Sequence, residues 1–337
     1  MFDPVIDPVT GFEVPSGWME LAEDSHIIEK IRSGLFVLLS NGKLLRRGLT
    51  TGTTAAAVCK GAILSLCFPI DKVKVMTPAG IAVVLPVKSE KGFCIALKDG
   101  GDHQSDVTDG LEMVAMAKYS EEKELIFSSG IGRFINCSPC VQHGHPAVSQ
   151  IARRQIMHAL EEGFAETGLK GARVELNVPK GEIVAKNTLN PRLGIDGGIS
   201  ILGTTGFVEP WNDHLGESRI EEIKRLEMVV VTTGRTGLKY SRILFPDYTA
   251  VLIGSQLDRL EFREAQNSII CGLPALILKW AWPQILEGTG YDTVARMVAR
   301  DPDHPHISRA LENAKAKLPH CRIVLLHRDG KIFRDLP

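Results

Sequence analysis

Glycine and threonine are concentrated in residues 190–210, where their spacing could bind a small ligand. Five glycines fall within the thirteen residues from Gly194 to Gly206. Because glycine has no Cβ, such a segment lets backbone N–H groups approach a ligand closely. The hydroxyls of Thr204 and Thr205 could bond the polar groups of that ligand. The alternative is a tight turn between two domains.

A second segment, residues 45–57, places two arginines before a loop of glycines and threonines that opens a predicted helix. The N-terminus of a helix offers free N–H groups and the positive end of its dipole, which attract carboxylates and phosphates. Arg46 and Arg47 would reinforce that attraction. A capped helix that follows a basic turn explains the same pattern.

A third segment, residues 98–110, carries several carboxylates between glycines, among them Asp99, Asp102 and Asp106. Carboxylates on such a loop could orient a ligand or transfer protons. Capping and turn formation explain residues such as Asp109 equally well.

A fourth segment runs from the apolar stretch at Val229 into Thr233, Gly234 and Arg235. In open α/β sheets, ligands bind beyond the carboxyl ends of the strands. These three residues are therefore candidates to face a ligand, and simple loop closure is the alternative.

Cys137 and Cys140 form a Cys-x-x-Cys pair followed by His143 and His145, which could bind zinc. No second pair with this spacing occurs in the chain, so an ordinary loop without metal is expected. The common motifs of nucleotide-binding proteins and hydrolases are also missing: there is no P-loop, no Gly-x-Gly-x-x-Gly after a strand, no His-Glu-x-x-His and no Gly-x-Ser-x-Gly.

The composition is that of an ordinary globular protein of about two domains, with 337 residues, 44% hydrophobic and 23% charged. A net charge of −1 argues against a general nucleic-acid binder, which would carry a basic excess. The longest apolar stretch, Ile269–Leu278, is too short to span a bilayer, and the first residues lack the pattern of a secretory signal. Seven cysteines do not favour a disulfide framework. We therefore expect a reduced, soluble, cytoplasmic protein.

The elements that must position these residues fall into two regions, after a turn-rich leader at 1–42 that is mostly helical from Asp24 to Leu39. The first region mixes strands and helices without strict alternation, which predicts an α+β domain over 43–210. Its predicted helices and strands are a helix at Thr53–Leu64, strands at Lys72–Met76, Ile81–Val87 and Phe93–Leu97, a short helix at Leu111–Ala117, a helix at Val148–Gly163 and a strand at Arg173–Val178.

The second region, 211–337, alternates short apolar strands with helices, which predicts a parallel sheet covered on both faces. We expect a Rossmann-like three-layer α/β domain here. Its predicted elements are helices at Ile220–Leu226, Arg259–Cys271 and Ile307–Lys317, and strands at Glu227–Thr233, Ala250–Gly254, Ala275–Trp280 and Arg322–Leu326.

Taken in order, these segments resemble the CbiD family, the cobalt-precorrin-5B C-1 methyltransferases of anaerobic cobalamin biosynthesis. The matching stretches are Leu45-Arg-Arg-Gly-Leu-Thr-Thr-Gly-Thr53, Lys98-Asp-Gly-Gly-Asp102, Asp106-Val-Thr108, Gly130-Ile-Gly-Arg133, the whole of 190–210 and Thr232-Thr-Gly-Arg235. The resemblance implies transfer of a methyl group from S-adenosylmethionine to C-1 of cobalt-precorrin-5B, giving cobalt-precorrin-6A. Cobalt is then part of the substrate only.

The resemblance also implies binding residues. Those expected to bind the methyl donor are Gly197, Gly198, Gly203, Thr204, Thr205, Gly206, Thr233 and Gly234. Since the tetrapyrrole carries acetate and propionate groups, it needs local cations, and guanidinium pairs with carboxylate through two hydrogen bonds. Those expected to bind the tetrapyrrole are Arg46, Arg47, Thr50, Thr51, Thr53, Asp99, Asp102, Asp106, Arg192 and Arg235.

No catalytic base is identified, and a sulfonium donor calls mainly for alignment and exclusion of water. No nucleic-acid or membrane partner is expected, and a homo-oligomer is left open. We also expect Gly203→Val to abolish ligand binding without disturbing the fold, because the added side chain would occupy ligand space.

Two stretches, Ile135–Cys140 and Leu273–Trp282, depart from the family's usual pattern. The later departure, together with a similar one at Gly288–Asp292, motivates one alternative, a non-catalytic tetrapyrrole-binding or carrier protein derived from the family. A third hypothesis, a small-molecule kinase with the Gly/Thr loop as its phosphate seat, lacks a nucleotide motif.

Overall fold

The computed structural model describes residues 4–104, 106–135, 143–210, 223–254 and 256–337. The chain divides into two compact units, which we name by their position in the sequence. The central unit comprises Ser33–Val37 and Leu45–Asn212. The terminal unit comprises Met1–Arg32, Leu38–Leu44 and Asp213–Pro337. Within the described residues, no helix is both long enough and apolar enough to cross a bilayer.

The helices in chain order are α1 (Ser16–Glu20), α2 (Ile27–Arg32), α3 (Thr51–Ser65), α4 (Gln150–Thr167), α5 (Gly181–Ala185), α6 (Arg235–Leu244), α7 (Pro274–Ala281), α8 (Val294–Arg300) and α9 (Pro305–Lys317), with 3₁₀ helices at Pro191–Leu193 and Gln256–Arg259. The strands are β1 (Val5–Ile6), β2 (Glu13–Val14), β3 (Phe36–Leu38), β4 (Leu44–Arg46), β5 (Gly48–Leu49), β6 (Lys72–Met76), β7 (Ala82–Pro86), β8 (Lys88–Glu90), β9 (Phe93–Leu97), β10 (Glu112–Tyr119), β11 (Glu124–Phe127), β12 (Gly130–Ile131), β13 (Arg133–Phe134), β14 (Ala172–Asn177), β15 (Ile195–Asp196), β16 (Gly198–Ile199), β17 (Phe207–Val208), β18 (Met228–Thr232), β19 (Thr249–Leu252), β20 (Asn267–Gly272), β21 (Arg322–Leu326) and β22 (Ile332–Leu336).

The central unit is built on a five-stranded sheet in the order β11-β14-β10-β9-β8, against which α3 packs, and α4 packs on α3. Helix α3 is buried along its entire length, which small residues make possible. A Cβ on Gly61 would overlap the Sγ of Cys94 on β9, so glycine is what lets the helix lie this close to the sheet.

The predicted short helix at Leu111–Ala117 is wrong, because residues 112–117 belong to strand β10. β10 pairs antiparallel with β9 on one side and with β14 on the other. Methionine and alanine favour a helix locally, but a strand with hydrogen-bonded neighbours on both sides overrides that preference.

The terminal unit contains a second five-stranded sheet, in the order β19-β18-β20-β21-β22. The first four strands are parallel and β22 is antiparallel to β21. The apolar side chains of these strands and of α7, α8 and α9 form one continuous core. The protein is thus a mixed α and β structure.

Two predictions in this unit are wrong: the helix at Arg259–Cys271 and the strand at Ala275–Trp280. The structure instead has strand β20 at Asn267–Gly272 and helix α7 at Pro274–Ala281. The β-branched, fully buried pair Ile269 and Ile270 suits a strand. Pro274 lies in the first turn of α7, where its fixed φ and missing N–H favour a helix start.

The sequence predicts a separate leader at 1–42, but most of these residues belong to the terminal unit. The hydroxyl of Tyr240 on α6 donates to the carbonyl O of Thr10 at 3.3 Å. The ring of Phe12 lies 5.9 Å from that of Tyr240, and Lys331 pairs with Glu13 at 2.5 Å. Such long-range contacts leave no local signature in a turn-rich sequence.

Candidate functional site

Three of the segments that the sequence singles out meet in the central unit. Strand β5 pairs antiparallel with β17, so that residue 49 lies opposite residue 207. The N–H of Leu49 donates to the carbonyl O of Asp99 at 2.7 Å, and a Cβ on Gly48 would lie 2.6 Å from that same oxygen. We name this meeting of residues 45–54, 98–109 and 190–209 the loop cluster.

The threonine hydroxyls at the start of α3 bind the glycine-rich segment of the loop cluster. Thr51 Oγ1 accepts from the N–H of Leu202 at 3.0 Å, and Thr53 Oγ1 donates to the carbonyl O of Gly206 at 2.9 Å. Thr50 is the N-cap of α3 and accepts from the N–H of Thr53 at 3.3 Å. These hydroxyls therefore hold the cluster together, and their contact with substrate stays a prediction.

Most glycines of this segment lie against other parts of the protein. A Cβ on Gly203 would overlap the hydroxyl of Thr50 and lie 2.7 Å from its Cβ, and one on Gly198 would lie 2.5 Å from the N of Ile131. Gly206 is similarly confined. The expectation that Gly203→Val spares the fold is therefore wrong, because the new side chain would collide with Thr50 and not with a ligand.

Part of the segment remains open. A Cβ on Gly197 would meet nothing within 4 Å, and Thr204 is exposed. The hydroxyl of Thr205 accepts from the N–H of Phe207 at 3.2 Å and shapes the turn into β17. Gly197 and Thr204 thus have room for a ligand, and donor binding by this segment stays a prediction.

Asn190, which was not predicted as a site residue, positions the segment. Its buried amide donates from Nδ2 to the carbonyl O of Gly198 at 2.9 Å and accepts at Oδ1 from Ser200 Oγ at 2.9 Å. Its position at the start of residues 190–210, the longest stretch that matches the CbiD family, could have identified it as a site residue. Arg192, two residues later in a 3₁₀ helix, is exposed.

The two adjacent arginines have different surroundings. The Arg46 side chain is 43% exposed and binds both carboxylate oxygens of Asp99, one of them at 2.9 Å. This hydrogen-bonded guanidinium holds the pKa of Asp99 below its usual value. The backbone N–H of Arg46 donates to Asp102 Oδ2 at 2.7 Å. The Arg46 guanidinium therefore lies at the surface, within reach of a ligand.

The Arg47 side chain, in contrast, is completely buried. Its Nε donates to Glu209 Oε2 at 3.1 Å, and one terminal nitrogen donates to the carbonyl oxygens of Gly34 at 3.1 Å and Phe36 at 3.0 Å. The structure therefore gives Arg47 a role inside the protein, and the predicted pairing of its guanidinium with a substrate carboxylate has no exposed surface to act through.

Lys98 is a buried, charged residue of the cluster that was not predicted as a site residue. Its Nζ contacts Asp106, whose other oxygen accepts from the N–H of Thr108 at 2.9 Å. Burial lowers the pKa of Lys98 to about 8, and the nearby carboxylates of Asp109 and Asp99 oppose this shift. The alternation of the strand could have identified Lys98: in β9 every second residue faces inward, and Lys98 continues that series.

Thr233, Gly234 and Arg235 belong to the terminal unit, whereas the other site candidates belong to the central unit. They follow the carboxyl end of β18 and lead into α6. A Cβ on Gly272, at the end of β20, would lie 3.0 Å from Thr233 Oγ1, and one on Gly234 would meet nothing within 4 Å. This edge of the sheet is a second candidate site.

The Cys-x-x-Cys segment lies outside the described residues, apart from His143 and His145 that follow it. Within the part of the chain that the structure describes, no three potential metal-ligating side chains are grouped together.

Comparisons with known proteins place these features in context. The family model of CbiD matches residues 39–210. The cobalt-precorrin-5B C(1)-methyltransferase of Methanosarcina acetivorans is 45% identical over 334 residues, 98% of each chain. The protein of the same name from Methanococcoides burtonii is 46% identical over 335 residues, again 98% of each chain. The crystal structure of the cobalamin biosynthesis protein CbiD from Archaeoglobus fulgidus superimposes with a TM-score of 0.58 at 36% identity, covering 96% of this chain and all of the other.

Proposed function

Because the chain belongs to the CbiD family, we propose that it methylates C-1 of cobalt-precorrin-5B, with S-adenosylmethionine as donor and cobalt-precorrin-6A as product. One observation carries this proposal: relatives named for the reaction align over 98% of both chains at 45% and 46% identity. An alignment of that extent includes both compact units, not only the segments with recognisable motifs.

The proposed chemistry asks little of acid and base groups. The S–CH₃ bond breaks with its electron pair left on sulfur, C-1 supplies the pair for the new C–C bond, and the positive charge passes to the acceptor. The protein must align the methyl carbon with C-1 and exclude water.

The donor is proposed to bind in the terminal unit, at the carboxyl edge of its parallel sheet. The Rossmann-like description of this unit is part of the proposal, and the four parallel strands flanked by helices support it. The Oγ1 of Thr232, at the end of β18, is buried and has no hydrogen-bond partner among the described residues, so a polar ligand at this edge would find an unused donor nearby.

The acceptor's carboxylates are proposed to pair with arginines that the fold leaves at the surface. Arg46 and Arg192 of the central unit meet this requirement, and a guanidinium binds a carboxylate through two parallel hydrogen bonds. Arg47 is not part of this set because its side chain is buried. A cytoplasmic, reducing environment is also part of the proposal, and the five described cysteines are all free thiols.

The experiment incubates the full chain with cobalt-precorrin-5B and S-adenosylmethionine and follows both products by mass spectrometry. We expect the corrinoid to gain the mass of one methyl group while S-adenosylhomocysteine forms in equal amount. A reaction without donor is the control. Absence of the methyl gain with authentic substrate and donor would refute the proposal.

The same samples test the carrier alternative, which rests on the stretches at 273–282 and 288–292 that depart from the family pattern. A carrier would bind the corrinoid tightly, show no affinity for the donor and leave the mass of the corrinoid unchanged. Since relatives named for methyl transfer align across nearly the whole chain, these stretches no longer favour a carrier.

A further inference from the structure

The order of the parallel strands in the terminal unit creates a crevice at one position of the sheet. From β18 the chain passes to β19 on one side, and then crosses to β20 on the other side of β18. In open α/β sheets, ligands bind where the direction of winding reverses in this way, beyond the carboxyl ends of the two strands. Here that position lies between the ends of β18 and β20.

The crevice presents hydrogen-bond donors that the protein does not use. Thr233 is 6% exposed, and its Oγ1 points across the crevice toward Gly272, at 3.0 Å from where a Cβ on that glycine would be. Among the described residues, its hydroxyl has no hydrogen-bond partner. The neighbouring Thr232 Oγ1 is buried and likewise finds no partner in the part of the chain that the structure describes. Buried polar groups are nearly always satisfied, so the buried hydroxyl of Thr232 calls for a ligand or water, and the hydroxyl of Thr233 can bind the same ligand.

The start of α6 adds backbone donors and open space. No side chain caps this ten-residue helix, so its first N–H groups remain available at the positive end of its dipole. The φ of Gly234 is −164°, an extended conformation open to any residue, and a Cβ there would meet nothing within 4 Å. Gly237 fixes the position of α6, because a Cβ on it would lie 3.0 Å from the Cys271 carbonyl O of β20.

We propose that this crevice binds the carboxylate of the amino-acid portion of the methyl donor, through Thr233 Oγ1 and the first N–H groups of α6. The inference rests on the proposed function, since that function supplies the donor. S-adenosylmethionine carries a carboxylate and no phosphate, so the anion that a helix N-terminus attracts is the α-carboxylate. Arg235, exposed in the first turn of α6, adds positive charge beside it.

The test measures binding of two ligands to the full chain by titration calorimetry. S-adenosylhomocysteine carries the carboxylate, whereas 5′-methylthioadenosine keeps the nucleoside and sulfur but lacks the amino-acid portion. Thr233→Val removes the hydroxyl with little change of shape. We expect about tenfold weaker binding of S-adenosylhomocysteine, from loss of a hydrogen bond to a charged group, and unchanged binding of 5′-methylthioadenosine. Thr249→Val, at the opposite edge of the sheet, is the matched control.

A second variant does not depend on the hydroxyl. Gly234→Val places a branched side chain in the open space at the start of α6, so S-adenosylhomocysteine binding should be lost while the melting temperature stays the same. Gly17→Ala is its control, since that glycine also has open space and no left-handed φ.

Several outcomes would overturn the inference: undiminished S-adenosylhomocysteine affinity in both variants, equal weakening of the two ligands, or no binding of S-adenosylhomocysteine by the wild type. Weaker corrinoid binding with intact donor binding would also overturn it, because the carboxylate would then belong to the tetrapyrrole. If the inference fails while the wild type still methylates the corrinoid, the proposed function stands. If the binding pattern holds but no methyl gain occurs, the proposed function fails alone.

Discussion

Replacing Arg47 by methionine should destabilise the protein strongly. The change removes the hydrogen bond from Arg47 to Glu209 and the donor to the carbonyl oxygens of Gly34 and Phe36. Breaking a buried ion pair by removing one partner costs about 3–5 kcal/mol. The Glu209 side chain is 19% exposed and so keeps some hydration. We therefore expect a loss of about 4 kcal/mol, a large share of the roughly 5–15 kcal/mol typical of a folded protein.

Urea unfolding followed by circular dichroism measures this loss, and the neighbouring residue provides the control. Arg46→Met removes a half-exposed ion pair, which should cost less than about 1 kcal/mol. With slopes of about 1–3 kcal/mol per molar urea, Arg47→Met should lower the midpoint by about 1 M or more, and Arg46→Met by much less. If the two variants unfold alike, or if Arg47→Met weakens tetrapyrrole binding at unchanged stability, the assignment of Arg47 to the interior is refuted.

Three further predictions concern the loop cluster. Gly203→Ala should lower the free energy of unfolding by about 1–3 kcal/mol in thermal melts, because the new Cβ overlaps Thr50. Gly197→Ala should lower it by only about 1 kcal/mol, through backbone strain. Equal losses in the two variants would contradict this prediction. Arg46 lowers the pKa of Asp99 in the folded protein, so the ionised carboxylate stabilises the fold above the unfolded pKa of Asp99. This stability is lost as the pH falls through the lower folded pKa. In acid titration, Asp99→Asn should therefore lose less stability than the wild type, and parallel stability curves for the two proteins would contradict this prediction. Asn190→Ala removes two hydrogen bonds and should lower the free energy of unfolding, measured with urea, by about 2 kcal/mol. A decrease of less than a few tenths of a kcal/mol would contradict the positioning role of Asn190.

Local sequence patterns were sufficient for elements whose character is set within a few residues. The strands predicted at Lys72–Met76 and Phe93–Leu97 are confirmed with the same bounds. The helix predicted at Thr53–Leu64 is confirmed as α3, which begins at Thr51 with Thr50 as its cap. Alternating burial and threonine capping are local properties, so a single sequence carries them.

Elements defined by distant partners could not be predicted in this way. β10 is a strand because two other strands pair with it. Around Pro274 the sequence predicts a helix before a strand, whereas the structure has a strand before a helix. A short apolar run fits either structure, and only its position in the sheet decides between them. The register of the parallel strands is likewise absent from local patterns.

The candidate site was predictable at the level of segments but not of side chains. The segments at 45–54, 98–109 and 190–209 do meet in the structure. Arg46 and Arg47 are adjacent, however, and only strand orientation makes one exposed and the other buried. A glycine has the same sequence signature whether its missing Cβ admits a ligand or, as at Gly203, a neighbouring side chain.

The division of the chain has a consequence for synthesis. Residues 4–32 contact parts of the terminal unit that follow the central unit in the chain, such as Tyr240 and Lys331, whereas Ser33–Val37 and Leu45–Asn212 form a compact unit of their own. Since domains fold as units while translation proceeds, the central unit can fold first. Residues 4–32 are synthesised before the residues of the terminal unit that they contact, so their packing against Tyr240 and Lys331 must follow the folding of the central unit.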